Sequence, residues 1–248
     1  APDETIAAFY RGQGFQTLWS GPQDQARRHA LITALAQAGL HGLPVARYDA
    51  DRLVAQAQAA ITEGDRGRFE VAMTAAFLSY ARDLSSGALV PVKVDAGIIR
   101  DVPRPDPVAL LAGIAAAANP AAFLHGLAPR SPEYARLMKE KFALEASIAK
   151  GGWGAQIASG KLEPGAQGEA VVALRDRLLA LGYLDRSSTG VYDRTLQAAV
   201  LRFQLDQGFT ADGVAGEGAI AALNSAPQDR LKSVVVAMER LRWMGDAP

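Results

Sequence analysis

The sequence predicts an all-α protein. Apolar residues recur at intervals of three and four along most of the chain, the spacing of one helix face, and strand-like alternation of apolar and polar residues is scarce. Glycines and prolines divide these apolar stripes into short segments. We therefore expect a helical domain over residues 1–157, a small three-helix module over residues 158–226 and a C-terminal linker helix over residues 227–248.

Four apolar stripes in the first part of the chain predict four helices of the larger domain. Each stripe is followed by a glycine, the residue that most readily takes the left-handed conformation at a helix end. The stripes and their glycines are Ile6, Phe9 and Tyr10 before Gly12; Leu31, Ala34, Leu35 and Ala38 before Gly39; Leu53, Val54, Ala57 and Ile61 before Gly64; and Phe69, Met73, Ala76, Phe77, Tyr80 and Leu84 before Gly87. The fourth stripe is the strongest, so we expect its helix at the centre of the core.

The rest of the larger domain contains a connector and one long helix. The proline-rich run Val102–Pro107 is incompatible with a helix interior, because each proline lacks an amide and disfavours helical geometry in the preceding residue. We expect a stiff connector there, inside the domain. Ser131, Pro132 and Glu133 have the order of an N-cap, a first-turn proline and a first-turn acid. The helix that they begin should end at Gly151.

The last amphipathic helix of the chain has an apolar face that needs cover. Its apolar residues are Leu231, Val234, Val235, Met238 and Leu241. A helix with one apolar face buries that face against another element. The sequence leaves open whether this cover comes from the first domain or from a missing one.

Closely spaced glycines, aspartates and apolar residues in the range 162–224 predict three short helices around one small core. The apolar stripes are Val171, Leu174, Leu178 and Leu181, ended by Gly182; Leu196, Val200 and Phe203, ended by Gly208; and Ile220 and Leu223. Asp193 precedes the second stripe, so its carboxylate can accept from the free amides of the first turn. Asp212 and Gly213 have the chemistry of a turn, in which the glycine supplies a positive φ if the turn demands one.

The order of these residues resembles the peptidoglycan-binding module that many bacterial wall enzymes carry. A module of about 60 residues buries only about 60% of its unfolded surface. Most of its residues are therefore needed to pack the core, cap the helices or form the turns. Loop residues are the better candidates for touching a ligand. These candidates are Tyr192, Asp193, Asp212 and Gly213, with Asp193 expected first as a cap. The resemblance implies that the module binds the glycan strand or the stem peptide of peptidoglycan.

Composition excludes several functional classes. Lys plus Arg and Asp plus Glu number 26 each, which gives a formal net charge of zero and no general attraction for nucleic acid or anionic lipid. Cysteine is absent, which excludes disulfides, thiolate metal sites and a thiol nucleophile in this chain. The alanine-rich piece Val108–Ala118 is too short to cross a bilayer. We expect a soluble, folded chain with no nucleic-acid partner and no transmembrane segment.

Four further segments extend the resemblance to nearly the whole chain. They are FYRGQGFQTLWS (Phe9–Ser20), SPEYARLMK (Ser131–Lys139), GGW (Gly151–Trp153) and VVVAMERLRW (Val234–Trp243). Their order, with the module between the last two, resembles the non-catalytic half of the large multidomain L,D-transpeptidases of Gram-negative bacteria. In that family a segment similar to Met238–Trp243 lies just before the catalytic domain. The resemblance implies an exported, periplasmic protein whose partner, a C-terminal catalytic domain, belongs to the parent chain.

The resemblance implies no catalysis by this chain alone. Members of that family join two stem peptides with a cysteine in a Ser-His-Gly-Cys context, and this chain lacks that motif. We therefore predict no catalytic residue, no cofactor and an inactive chain, although the parent is expected to be an acyltransferase. The three histidines His29, His41 and His125 are too scattered to predict a metal site.

Two other functions fit the same sequence. One is a complete, non-enzymatic peptidoglycan-binding protein that localises partners at the wall, which is distinguished only by the absence of a catalytic domain after Pro248. The other is a wall hydrolase whose acidic residues lie in the helical domain. Two carboxylates about 5 to 10 Å apart in a cleft can come from anywhere in a chain, so spacing along the sequence does not test this function.

Overall fold

The structure, a computed structural model, describes residues 2–158, 160–186 and 189–245, with the side chains of residues 2 and 3 excepted. The chain divides into two compact units. The first unit consists of residues 1–139 and 235–248, and the second of residues 140–234. The predicted domain boundaries after residues 157 and 226 stay a prediction.

The fold is all-α, as predicted. The helices are α1 (Pro2–Gly12), α2 (Gln25–Ala36), α3 (Ala50–Ala59), α4 (Glu63–Ser86), α5 (Pro91–Val94), α6 (Pro107–Ala116), α7 (Pro120–His125), α8 (Pro132–Ala149), α9 (Glu169–Ala180), α10 (Arg194–Asp206), α11 (Glu217–Leu223) and α12 (Pro227–Met244). Short 3-10 turns occur at Pro22–Asp24, Ala38–His41 and Val45–Arg47. Over the described ranges, extended pairing is limited to two isolated bridges, Leu162 with Ala215 and Gln167 with Val191.

Helix α4 runs through the core of the first unit, as its apolar stripe predicts. The buried residues of that stripe are Phe69, Met73, Phe77, Tyr80 and Leu84. Thr62 and Asp65 form a capping box at the start of the helix. Thr62 Oγ1 accepts from the amide of Asp65 at 3.2 Å, and Asp65 Oδ2 accepts from the amide of Thr62 at 3.0 Å. Gly87, with a φ of 92°, follows the last helical residue as predicted.

Two predicted glycine caps in the first unit are wrong. Helix α1 ends at Gly12 as predicted, but the left-handed residues there are Gly14 and Phe15. Gly39 lies inside a 3-10 turn, and the left-handed residue there is Gly42, with a φ of 69°. Glycine adopts right-handed backbone as well as left-handed, so the first glycine after an apolar stripe need not be the left-handed one.

The predicted end of the third stripe is also wrong. Helix α3 stops at Ala59, and Ile61 is 79% exposed instead of buried. Gly64 lies in the first turn of α4, because Thr62 already caps that helix. A capping threonine three residues before an aspartate marks a helix start more strongly than the stripe marks a continuation.

Buried Glu70 on α4 fixes the loop that follows α1. Its carboxylate accepts from the amides of Leu18, Trp19 and Ser20 at 2.5, 3.1 and 2.8 Å. The hydroxyl of Tyr10 donates to the same carboxylate at 2.7 Å. Hydrogen bonds to an ionised acceptor are about twice as strong as neutral ones, so this carboxylate holds three consecutive residues of the loop against α4.

The C-terminal part of α12 belongs to the first unit, and Met238, on the apolar face of the helix, is buried. Arg242 is only 1% exposed, and its Nη1 lies 3.0 Å from Oε2 of Glu239. Its Nη2 donates to the hydroxyl of Tyr134 at 2.9 Å and to the carbonyl of His41. Nε1 of Trp243 donates to Oε1 of Glu239 at 3.1 Å. Buried polar bonds as well as the apolar face therefore hold this helix end.

Two further predictions are confirmed. Residues 101–106 carry no helix, and Pro107 is the first residue of α6. Ser131 Oγ accepts from the amide of Tyr134 at 3.2 Å and so caps α8, and Gly151 beyond the end of that helix has a φ of 96°. The short helix α5 was not predicted, because a helix of one turn leaves no apolar stripe in the sequence.

Candidate functional site

The three predicted short helices, α9, α10 and α11, enclose the core of the second unit. Its buried apolar residues are Ile157, Val171, Leu174, Leu178, Leu184, Tyr192, Leu196, Ala199, Val200, Phe203, Ala215, Ala219, Ile220 and Leu223. Gly182 has a φ of 78°, which lets the amide of Tyr183 reach the carbonyl of Leu178 at 2.8 Å. Gly208, with a φ of 72°, follows α10 in the same way. Both predicted left-handed caps are confirmed.

Asp193 is the N-cap of α10, as predicted. Its Oδ1 accepts from the amide of Leu196 at 2.8 Å and lies 3.1 Å from Nη2 of Arg175. Arg175 is 3% exposed, and its Nη2 also donates to the carbonyl of Val191 at 2.8 Å. Arg175 therefore connects α9 to the loop before α10.

Buried Gln204 on α10 holds the turn of Asp212 and Gly213. Its Oε1 accepts from the amide of Gly213 at 2.9 Å, and its Nε2 donates to Oδ1 of Asp212 at 2.8 Å. Gly213 has a φ of 70°, so this turn demands the positive φ that a glycine can supply. Sequence reasoning missed Gln204. Its role could have been inferred from its position four residues after Val200 on the apolar side of α10, because a buried polar residue there needs a specific hydrogen-bond partner.

Tyr192 joins this turn to the loop that precedes α10. The residue is 1% exposed, and its hydroxyl donates to the carbonyl of Gly213 at 2.9 Å. Its amide donates to the carbonyl of Ala166 at 2.8 Å, which ties in the segment before α9 as well. Burial raises the pKa of the Tyr192 hydroxyl, so the hydroxyl stays protonated and remains a donor.

The four predicted contact residues thus lie on two loops that the bond from Tyr192 to Gly213 links, but they differ in exposure. Tyr192 and Gly213 are buried, Asp193 is half-buried and Asp212 is exposed. The described bonds of each aspartate end on Oδ1, and a carboxylate has a second oxygen with which to accept. The two carboxylates are therefore the part of this region best able to meet a ligand. The contact role of all four residues stays a prediction.

Hydrogen bonds lower the pKa of both carboxylates below the ordinary value of an aspartate. The amide of Leu196 is the first cause that lowers the pKa of Asp193, and the ion pair with Arg175 adds to it. The amide of Val214 is the first cause that lowers the pKa of Asp212, followed by the side-chain amide of Gln204. Both groups are therefore ionised at neutral pH, and they present negative charge to a ligand.

Two other polar side chains, missed by sequence reasoning, tie the segment before α9 to the end of α11. The amide of Ile157 donates to Oδ1 of Asn224 at 2.9 Å, and Nδ2 of Asn224 donates to the carbonyl of Ile157 at 2.8 Å. Arg177 is 3% exposed, donates to the carbonyl of Ala155 at 3.1 Å and to that of Leu223 in α11, and lies over the ring of Trp153 at 5.6 Å. These contacts assign Trp153 of the GGW segment to packing in the second unit.

The described parts of the chain contain neither a metal-binding cluster nor a membrane-spanning helix. No group of three or more His, Cys, Asp or Glu side chains is placed there to hold a metal ion. His29 and His125 are exposed, and Nδ1 of buried His41 lies 3.1 Å from the hydroxyl of Tyr134. None of the helices in those parts combines the length and the apolarity that crossing a bilayer requires.

Comparison with known proteins finds two domain families in the chain. Residues 4–140 match the family model described as the scaffold domain, and residues 167–223 match the one described as a peptidoglycan binding domain. The second match includes both loops of the candidate site and supports a role in binding the cell wall. No curated protein matches the chain. Because the first match spans more than half of its length, the chain belongs to the scaffold domain family, and it also carries a peptidoglycan-binding domain.

Proposed function

We propose that this chain is the substrate-holding, non-catalytic region of an L,D-transpeptidase that cross-links stem peptides in the bacterial cell wall. The observation that carries the proposal is the order of the parts: a scaffold domain, a peptidoglycan-binding domain and then helix α12. That order agrees with the family that the sequence resembles, including the segment Met238–Trp243 at the end of α12. Under this proposal the protein works in the periplasm of a Gram-negative bacterium.

The candidate site supports a role in holding peptidoglycan. Peptidoglycan combines sugar hydroxyl and acetamido groups with short peptides, so it offers many O–H and N–H donors. Asp193 and Asp212 offer ionised acceptors to such donors, and hydrogen bonds to ionised acceptors are the strong ones. Gln204 and Tyr192 hold the two loops in place, so binding orders little new backbone. A module of this kind raises the local concentration of wall substrate without touching the chemical step.

Charge at the two aspartates should decide how well the chain is retained on isolated sacculi. We expect the Asp193→Asn/Asp212→Asn double variant to bind at least threefold more weakly, because asparagine keeps the capping and turn geometry and removes the charge. Co-sedimentation with sacculi over a range of protein concentrations measures this. Asp176→Asn, an exposed aspartate on α9, is the matched control and should bind like the wild type. Equal retention of the double variant and the control on sacculi would show that the charge of neither aspartate contributes to binding.

The reading frame beyond Pro248 tests the transpeptidase part of the proposal. We expect the frame to continue into a domain with a histidine and a Ser-His-Gly-Cys segment, which supplies the thiol that this chain lacks. A stop codon there would make the chain a wall-binding protein in its own right. Release of soluble muropeptides from sacculi by the purified chain would instead support a hydrolase.

A further inference from the structure

The first unit contains a cleft that the proposed wall-binding site does not use. It has a volume of about 680 Å³ and lies between α1 and the first half of α4. Ile6, Tyr10, Phe15 and Val71 give it an apolar lining. Pockets for small ligands usually measure roughly 300–1,000 Å³ and are largely apolar, with a few polar groups that orient the ligand. The cleft therefore has the size and lining of a ligand site.

Phe15 stands on the wall of this cleft in a conformation that disfavours a large side chain. Its φ is 58°, in the left-handed region that suits glycine. Its amide donates to the carbonyl of Tyr10 at 2.8 Å, a bond at the end of α1 that glycine would also make. The residue is 73% exposed, so packing in the core does not account for an aromatic side chain at this position. A strained, exposed aromatic residue on a cleft wall points to contact with a ligand.

Two arginines on the rim of the cleft supply positive charge that no described carboxylate pairs with. Arg11 and Arg66 both line the cleft and are exposed. Over the described ranges neither makes an ion pair, and Arg11 donates from Nε to the carbonyl of Ala7 at 3.2 Å. Arg68, two residues further along α4, instead lies 2.5 Å from Asp65. Guanidinium groups bind carboxylates through two parallel hydrogen bonds, so the rim suits a ligand that carries a carboxylate.

We infer that this cleft binds a muropeptide, that is, a wall sugar with a short peptide that bears a carboxylate. The C–H face of the sugar packs against Phe15 and the aliphatic wall, and the carboxylate pairs with Arg66, while Arg11 adds positive charge on the same rim. Glu63 on the same rim accepts from the N–H groups of the ligand. Glu70 does not take part, because four donors already occupy its carboxylate. The choice of a wall fragment rests on the proposed function, since the same chain carries a peptidoglycan-binding domain.

Titration of the ¹⁵N-labelled chain with muramyl dipeptide, N-acetylmuramyl-L-alanyl-D-isoglutamine, tests the inference by NMR. We expect amide shifts within the ranges 6–22 and 63–71, and at least threefold weaker binding of N-acetylglucosamine, which lacks the carboxylate. Phe15→Gly should lower the affinity for muramyl dipeptide at least tenfold, and Arg66→Gln at least threefold. Arg68→Gln, on the same helix but outside the cleft lining, is the matched control and should bind like the wild type.

Stability separates a ligand contact from a folding defect. Phe15→Gly removes the left-handed strain, so its thermal midpoint should equal or exceed that of the wild type while its affinity falls. Shifts confined to the second unit, or equal affinities of Arg66→Gln and Arg68→Gln, would overturn the inference. The Asp193→Asn/Asp212→Asn variant should bind sacculi more weakly but show the same amide shifts in the cleft when muramyl dipeptide is added. The proposal for the cleft and the proposal for the wall-binding site can therefore be refuted independently.

Discussion

Glu70→Ala is expected to lower the free energy of unfolding of the first unit by about 4 kcal/mol. The substitution leaves the amides of Leu18, Trp19 and Ser20 without their acceptor, and each unsatisfied buried donor costs roughly 1–3 kcal/mol. The loop can move locally and expose these amides to water, so the total loss should stay below the sum of three maximal costs. Glu70→Gln should cost about 2 kcal/mol, because its oxygen keeps some of these bonds while its amide nitrogen meets another donor.

Urea unfolding followed by circular dichroism measures the loss, and hydrogen exchange of the amides at residues 18–20 locates it. Glu63→Gln, on the same helix and exposed, is the control and should stay within about 0.5 kcal/mol of the wild type. Faster exchange confined to residues 18–20 in Glu70→Gln would show that the carboxylate fixes this loop. Unchanged protection there, with a stability equal to that of the control, would contradict the role assigned to Glu70.

The parts of the fold that depend on neighbouring residues were predictable from the sequence. The apolar stripe of α4, the cap at Asp193 and the left-handed turn at Gly213 follow from spacing and residue type within a few positions. The structure confirms each of them. Helix ends were less predictable where two glycines compete, because Gly12 and Gly14 both tolerate the left-handed conformation and only the rest of the fold selects one.

Long-range polar contacts were not predictable. Glu70 meets residues about fifty positions earlier, and Arg242 meets Tyr134 from 108 positions away, with no periodic pattern that pairs them. The candidate site likewise combines local features that the sequence predicts with a long-range contact that it does not. Turn chemistry identified Asp212 and Gly213 as loop residues, but the bond from Tyr192 that joins the two loops depends on tertiary packing. The left-handed conformation of Phe15 contradicts the local preference of a bulky residue, so no sequence rule predicts it.

Arg242→Met is expected to cost about 3–5 kcal/mol, the usual loss when one partner of a buried ion pair is removed. Glu239 is 8% exposed, and among the described residues its carboxylate would keep two neutral donors, the amide of Leu89 at 2.7 Å and Nε1 of Trp243 at 3.1 Å. The hydroxyl of Tyr134 would also lose the hydrogen bond that it accepts from Nη2 of Arg242. Urea unfolding measures the loss, with Arg240→Met, an exposed arginine on the same helix, as the control.

A double-mutant cycle with Glu239→Gln separates the ion pair from packing. If the pair carries the effect, Arg242→Met/Glu239→Gln should be more stable than the sum of the single losses predicts, by about 1–3 kcal/mol, because no buried charge is left unpaired. Additive losses would instead assign the cost to packing of the long side chain. Hydrogen exchange at residues 235–245 distinguishes the two cases further. An uncompensated Glu239 should increase opening of this helix end, and removal of its charge should restore protection.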